Sequence, residues 1–267
     1  MERGAREIDY TLEQIEPDKK TVALELERSL SGYTDNKGKS YPRKDLQERK
    51  AEALPILSRL LAGLDLPLEK LLDSWRSDER GAIIKENYDA IMALEIKNPG
   101  APRVLCHEFG IRNFSWYPEE MLVKQYHEYI NKENRESDKK RRPYGVIINS
   151  AHDYTGAFAD DKDLWLKLYK DLDALGYSIH VIEGDKKREL AHHLINLASV
   201  THHGKREIGE ELISFAVIGG HGTRRSIELN EEEKYYLHLD DMTKYGVRTA
   251  KHILKKFATI ILNNCTT

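Results

Sequence analysis

Hydrophobic positions in the first 130 residues recur at helical steps. Between Arg43 and Ala62, and again between Pro67 and Arg76, Leu54, Leu57, Leu61, Leu64, Leu68, Leu71 and Trp75 follow one another at three and four residues. That spacing lines one face of a helix. Pro55, Gly63 and Pro67 argue against one continuous rod, and Asp65-Leu66-Pro67 reads as a helix start, because a first turn tolerates a residue with no N–H. A further helical stretch, Ser77 to Ile96, puts Ile83, Ile84, Tyr88, Ile91 and Met92 on one side. Such stripes suit either a regulatory or adaptor module or a packing domain that covers the rest of the chain, and the second use is the commoner. The aromatic cluster Phe109, Phe114, Trp116 and Tyr117 is expected in the core rather than on a binding platform.

Asn131 to Pro143 then breaks every periodicity, with nine charged residues in thirteen, and reads as an exposed linker. Beyond it the pattern changes. Tyr144 to Asn149, Tyr177 to Glu183, Ile213 to Gly219 and Ala258 to Leu262 are short runs rich in Val and Ile, several of them apolar nearly throughout, as strands buried on both faces of a parallel sheet are. Amphipathic helical stretches lie between them: Asp161 to Leu175, Lys186 to Ser199 and Lys244 to Phe257. Alternation of this kind predicts an α/β fold with right-handed crossovers and a doubly wound, mostly parallel sheet in three layers. The organisation read from the sequence is an all-helical region over 1–130, a charged linker over 131–143 and an α/β domain over 144–267.

Composition narrows the classes. At 267 residues and 40% hydrophobic content the chain can bury at least one core. Lys and Arg total 42 against 45 Asp and Glu, with the signs interspersed, so no face is built to neutralise a phosphate backbone and nucleic acid is not an expected partner. The first ten residues lack a signal-peptide core, and no apolar run reaches the roughly 20 residues that span a bilayer. The expectation is a cytoplasmic protein without a membrane segment. Two cysteines far apart, Cys106 and Cys265, support neither a disulfide framework nor a cysteine zinc site.

In open parallel sheets, reacting groups collect just outside the carboxyl ends of the strands. Here those positions hold Ser150-Ala151-His152-Asp153 after the first apolar run, Gly220-His221-Gly222-Thr223 after the third and Asn263-Asn264-Cys265 after the fourth. A histidine and a cysteine are thereby expected at one rim, from two strands consecutive in sequence. Other chemistries fit less well. Gly220-His221-Gly222 is not a dinucleotide fingerprint, since Arg225 stands at the third glycine position and the motif does not follow the first strand. Neither a phosphate loop nor a Gly-x-Ser-x-Gly elbow is present. The doublets His192-His193 and His202-His203 lack the i, i+4 separation of helical zinc ligands, and Cys106-His107-Glu108 would diverge by about 100° per residue on a helix. Neither a metal nor a cofactor is called for.

Three segments resemble the caspase-like cysteine peptidase clan, which also includes legumain, clostripain and separase. DLDALGYSIHV (Asp171 to Val181) is similar to the helix and second strand of that domain, SFAVIGGHGT to the strand carrying its His-Gly pair, and TIILNNCTT to the strand that delivers its cysteine. The likeness covers about 120 residues and has no counterpart for the helical first half. It implies a cysteine-type endopeptidase with His221 and Cys265 as the dyad and the backbone N–H groups of Gly222 and Cys265 as the oxyanion hole. The residue types suit that chemistry, since a thiol near its free pKa is already partly thiolate and a histidine titrates near neutrality.

Caspases proper carry Gln-Ala-Cys-x-Gly where this chain has Asn263-Asn264-Cys265-Thr266-Thr267, so a preference for aspartate is not implied. Asp153 would favour basic substrate residues, whereas Arg224 and Arg225 would favour acidic ones, and Asp240 and Asp241 suit either a helix cap or the cleft. The expected partner is a peptide or protein substrate. A caspase-like fold without catalysis, used as a scaffold or signalling module, would carry the same pattern. By the same resemblance the sheet continues past the cysteine strand, while only Thr266 and Thr267 follow here. The expectation is a fragment, or a large-subunit equivalent whose sheet a further segment or subunit completes, with little peptidase activity of its own.

Overall fold

A computed structural model describes residues 46–75, 82–131, 144–151, 162–202, 205–208, 213–223, 226–229, 237–238 and 253–264. The linker expected over 131–143 lies almost wholly outside the described residues.

Among the described residues the first part holds five helices, α1 (Leu46–Leu60), α2 (Leu68–Ser74), α3 (Ala82–Lys97), α4 (Ala101–Phe109) and α5 (Glu119–Ile130), with a 3-10 turn at Phe114–Trp116. The leucine stripe forms the first two. Leu57, Leu61, Leu71 and Trp75 are buried on it, and Leu54, Leu64 and Leu68 pack against the same cluster. Gly63 and Pro67 separate α1 from α2 as expected, with Pro67 at the N-cap of α2. Pro55 does not interrupt α1, which runs through it to Leu60. The four aromatics Phe109, Phe114, Trp116 and Tyr117 are core.

The second part is α/β. Strands β1 (Tyr144–Ser150), β2 (Ser178–Gly184), β5 (Ile213–Thr223) and β8 (Leu254–Asn264) form a parallel sheet in the order β2-β1-β5-β8, and α6 (Lys162–Ala174) and α7 (Lys187–Ala198) flank it. Every residue of β1 and β2 is buried, which explains why those runs do not alternate. Two short strands, β3 (Ser199–His202) and β4 (Lys205–Ile208), pair apart from this sheet.

Two expectations need correction. The third strand does not stop at Gly219: β5 continues to Thr223, and over His221–Thr223 it pairs antiparallel with β6 (Ser226–Glu228), which in turn pairs with β7 (Leu237–His238). The last predicted helix was expected to reach Phe257, but 254–257 belong to β8; most of its remainder lies outside the described residues. Ile253, Leu254 and Phe257 mimic helical spacing there. The register between Ile213/Leu254 and Phe215/Thr259 instead forces an excursion in β8, where Phe257 has φ 69° and stands 90% exposed.

The helices and the sheet share one hydrophobic core, running from Ala53 in α1 to Ile218 in β5. Helix α5 lies against β2, the outer strand of the sheet on that side. The Gln125 amide there donates to the Val181 carbonyl (2.9 Å) and accepts from the Val181 N–H (2.8 Å), acting as one further strand residue at that edge. Gly110 ends α4 at φ 70°, and a Cβ at that position would run into the Glu183 carbonyl. Only glycine lets the chain turn this close over the end of β2. Among the described residues no helix is long and apolar enough to cross a membrane.

Candidate active site

The carboxyl rim of the sheet is set by two stretches of register. On one side β1 and β2 end together at Ser150↔Gly184; on the other, β5 and β8 pair in parallel from Phe215↔Thr259 up to Gly220↔Asn264. His221 is the next residue of β5. Cys265 is the next residue of the chain after Asn264 and lies outside the described residues, as do Asp153, Arg224, Arg225, Asp240 and Asp241.

Beyond the rim β5 alone continues, as one arm of a hairpin. His221 pairs with Glu228, Gly222 with Ile227 and Thr223 with Ser226. Which edge of β5 the hairpin uses follows from Ser150. Its hydroxyl donates to the Leu229 carbonyl at 3.1 Å, and its Cβ stands 3.7 Å from where a Cβ on Gly220 would be. Gly220 is paired to Asn264 on its other edge. Strand β6 therefore stacks on the end of β1, opposite β8. A Cβ on Gly222 would collide with the Ser226 carbonyl, so glycine beside His221 is required by the approach of β6.

The carbonyls of Ser226 and Glu228 both lean onto β5, beside Gly222 and Gly220 respectively.

At the β1–β2 end of the rim the structure assembles a buried polar cluster that periodicity alone does not reveal. The Glu183 carboxylate accepts from the Arg112 N–H (2.9 Å), the Asn113 N–H (3.2 Å) and the Asn113 amide (3.1 Å). The same Asn113 amide donates to the Ala151 carbonyl (3.1 Å), while the Ala151 N–H reaches the Gly184 carbonyl. Complete burial pushes the Glu183 carboxyl up to about 7, against the opposing pull of the Arg112 and Asn113 donors, the Tyr117 hydroxyl and the Arg112 charge. Tyr117 is pushed well above the usual phenol range by its own burial and by Glu183, and it accepts a hydrogen bond from Asn149 (3.1 Å). Arg112 is buried yet stays charged: Glu189 at 2.7 Å and Asp185 at 3.3 Å outweigh its desolvation. Buried this deeply, the cluster fastens the helical part to the rim rather than meeting a substrate. The signal for it is visible in hindsight, since Arg112, Asn113 and Ser115 interrupt an otherwise apolar run and Glu183 closes an apolar strand.

Cys106 is not a competing nucleophile. Its thiol donates to the Ile111 carbonyl at 2.9 Å, and burial pushes its pKa far up. His107 instead contacts the Asp65 carbonyl, and the Glu108 carbonyl meets buried His193, so the three consecutive residues turn to three different places. Among the described residues no group of three or more His, Cys, Asp or Glu could hold a metal ion. An open depression of about 830 Å³ between α3, α5 and α6 contains none of the rim residues, and its Lys97 pairs with Glu119 of the same lining. No protein-family model matches this chain, and no curated protein is similar to it.

Proposed function

We propose that the chain is a cysteine-type endopeptidase of caspase-like fold, with His221 and Cys265 as its dyad. One observation carries the reading: β5 and β8 are adjacent parallel strands whose register closes at Gly220↔Asn264, one residue before the histidine on one strand and the cysteine on the other. Strands in a sheet lie about 4.8 Å apart, so the same register carried one residue further would bring positions 221 and 265 side by side on one face.

In that arrangement the Cys265 thiolate attacks the scissile carbonyl carbon, and His221 gives a proton to the departing amine. Water then hydrolyses the thioester and returns the free thiol. By the resemblance, the N–H groups of Gly222 and Cys265 would receive the negative charge that develops on the carbonyl oxygen. The substrate is a peptide or protein. Asp153, Arg224 and Arg225 are its candidate contacts, and a strand from a further segment or subunit would add to the β8 edge.

The cysteine count makes the test direct. Cys106 is buried and held protonated, so alkylation of the native chain by iodoacetamide reports Cys265. An imidazolium neighbour that lowers the thiol pKa by about one unit makes the neutral-pH rate roughly tenfold faster than in His221→Ala. Equal rates in the two proteins would remove the dyad. Alkylation that depends on His221, without cleavage of any peptide in a fluorogenic library, would leave a thiol site with no peptidase activity.

A further inference from the structure

The sheet covers one of its edges and leaves the other open. On the β2 side, α5 lies against the outer strand and the Gln125 amide takes up both the N–H and the C=O of Val181. On the β8 side, no further strand pairs with the outer backbone among the described residues. The outer strand of the hairpin, β7, is two residues long and offers little to pair with, whereas β8 runs for eleven. Its side chains are as open as its backbone. Ile260 and Ile261 follow one another and so lie on opposite faces, 40% and 49% exposed, and Phe257 is 90% exposed. Three of the six large hydrophobic side chains exposed among the described residues are thus gathered on this one edge, although β1 and β2 of the same sheet are buried throughout.

Edge strands that stay alone are blunted by lysines and bulges. Strand β8 carries both at its beginning: Lys255 and Lys256 are exposed, and Phe257 leaves the regular strand at φ 69° with the Lys256 ammonium 5.1 Å from the centre of its ring. From Ala258 to Leu262 it carries neither. We infer that this stretch pairs edge to edge with β8 of a second copy of the chain, antiparallel about a two-fold axis, so that two sheets join into one. The pairing goes beyond the peptidase reading and holds whether or not His221 and Cys265 form a dyad.

Three features select a second copy in this orientation. An edge that is apolar on both faces is matched by another of the same kind, and β8 is the one described strand of this chain with large apolar side chains exposed on both faces. Charge sets the direction. Lys255 and Lys256 are the only charged residues of β8, and antiparallel pairing places them beside the uncharged Asn263-Asn264 end of the other copy, whereas parallel pairing would set lysines against lysines. Closure sets the number: with α5 on the β2 edge, two sheets joined at β8 keep no long open edge, so assembly ends at two copies instead of continuing as a filament.

Sedimentation velocity of the full chain over a concentration series tests the pairing, with Ile260→Lys, Ile261→Lys and, as a control on an exposed leucine ahead of β2, Leu175→Lys. The wild type is expected to form a reversible dimer. Each lysine on β8 raises its dissociation constant at least about tenfold, because like charges or an unpaired charge are then pressed into the interface, and Leu175→Lys leaves it unchanged. Far-ultraviolet circular dichroism and a urea midpoint like those of the wild type establish that the variants are folded. With p-benzoylphenylalanine in place of Phe257, irradiation is expected to join two copies, with the adduct in the 254–264 segment of the other copy. A wild type that stays monomeric at about 100 μM overturns the pairing. So does a dimer that both β8 lysines leave intact, or one that Leu175→Lys weakens as much, since another face would then hold it. Species that grow past two copies with concentration overturn the closed two-fold arrangement, and a monomer in which position 257 crosslinks to its own chain shows that a different segment of this chain covers the edge.

Discussion

At Glu183 two effects of opposite sign meet on one side chain. Removal from water disfavours its charge, whereas three N–H donors and a nearby guanidinium favour it, and burial wins to the extent that the carboxyl titrates near 7. In the unfolded chain the same group loses its proton near 4.5. Between those values the folded state binds the extra proton, so the contribution of Glu183 to stability is full at low pH and is lost as pH rises through about 7. The span of roughly two and a half units amounts to about 3 kcal/mol. Glu183→Gln keeps an acceptor for Arg112 and Asn113 and removes the titration. Urea unfolding at stepped pH is therefore expected to show the variant gaining on wild type by about 3 kcal/mol from acid to mildly alkaline conditions. Parallel curves for the two proteins would mean that the carboxylate ionises in the fold at no cost.

Single elements were legible in the sequence to the degree that one face dictated their residues. The leucine stripe produced α1 and α2, and the Val- and Ile-rich runs produced β1, β2 and β5, because burial on one or both faces leaves few alternatives. What the pattern could not convey were features made by pairing between segments. The β5–β6 hairpin is short, and its signal is two glycines that read equally well as a loop; β8 bulges at Lys255 to Ala258, so its first residues imitate a helix. The contact of α5 with the sheet is of the same kind. Gln125 looks like any polar residue on a helix, yet it is buried and its amide completes the outer backbone of β2. Gln125→Leu would leave the Val181 N–H and C=O buried without partners, at about 1 to 3 kcal/mol each. A loss of about 2 to 4 kcal/mol is expected in urea unfolding, since the two penalties overlap in part. A loss under about 0.5 kcal/mol would show that water takes the place of the amide.

Across the whole molecule, the carboxyl rim was legible because open parallel sheets end their strands at one edge, and His221 follows Gly220 there in β5, whereas the Arg112–Glu183 cluster depends on which strands and helices become neighbours. The same neighbours decide whether the helical and α/β parts are thermodynamically separate. The charged run over 131–143 suggests a boundary, but the contacts on either side of it run the other way. Phe109 of α4 stacks on His180 of β2 with ring centroids 6.0 Å apart, Tyr117 meets Trp165 of α6 edge-on at 6.2 Å, and Glu183 is satisfied by donors from 112 and 113. Separating the parts would expose these apolar faces and strand a buried carboxylate, so neither part has a low-energy folded state in which the other is unfolded. Tryptophan positions allow a direct check: Trp75 and Trp116 belong to the helical part and Trp165 to the α/β part. In variants that retain Trp75 or Trp165 alone, with Phe at the other two positions, the urea transitions followed by fluorescence are expected to be single and to share one slope, because both report the same all-or-none event. The midpoints will differ only by the stability each replacement removes, and the far-ultraviolet circular dichroism of each variant supplies that correction. A Trp75 transition that departs from the circular dichroism curve of its own protein, while the Trp165 transition follows its own, would mean that the helical part unfolds separately and that the shared core does not couple it to the sheet.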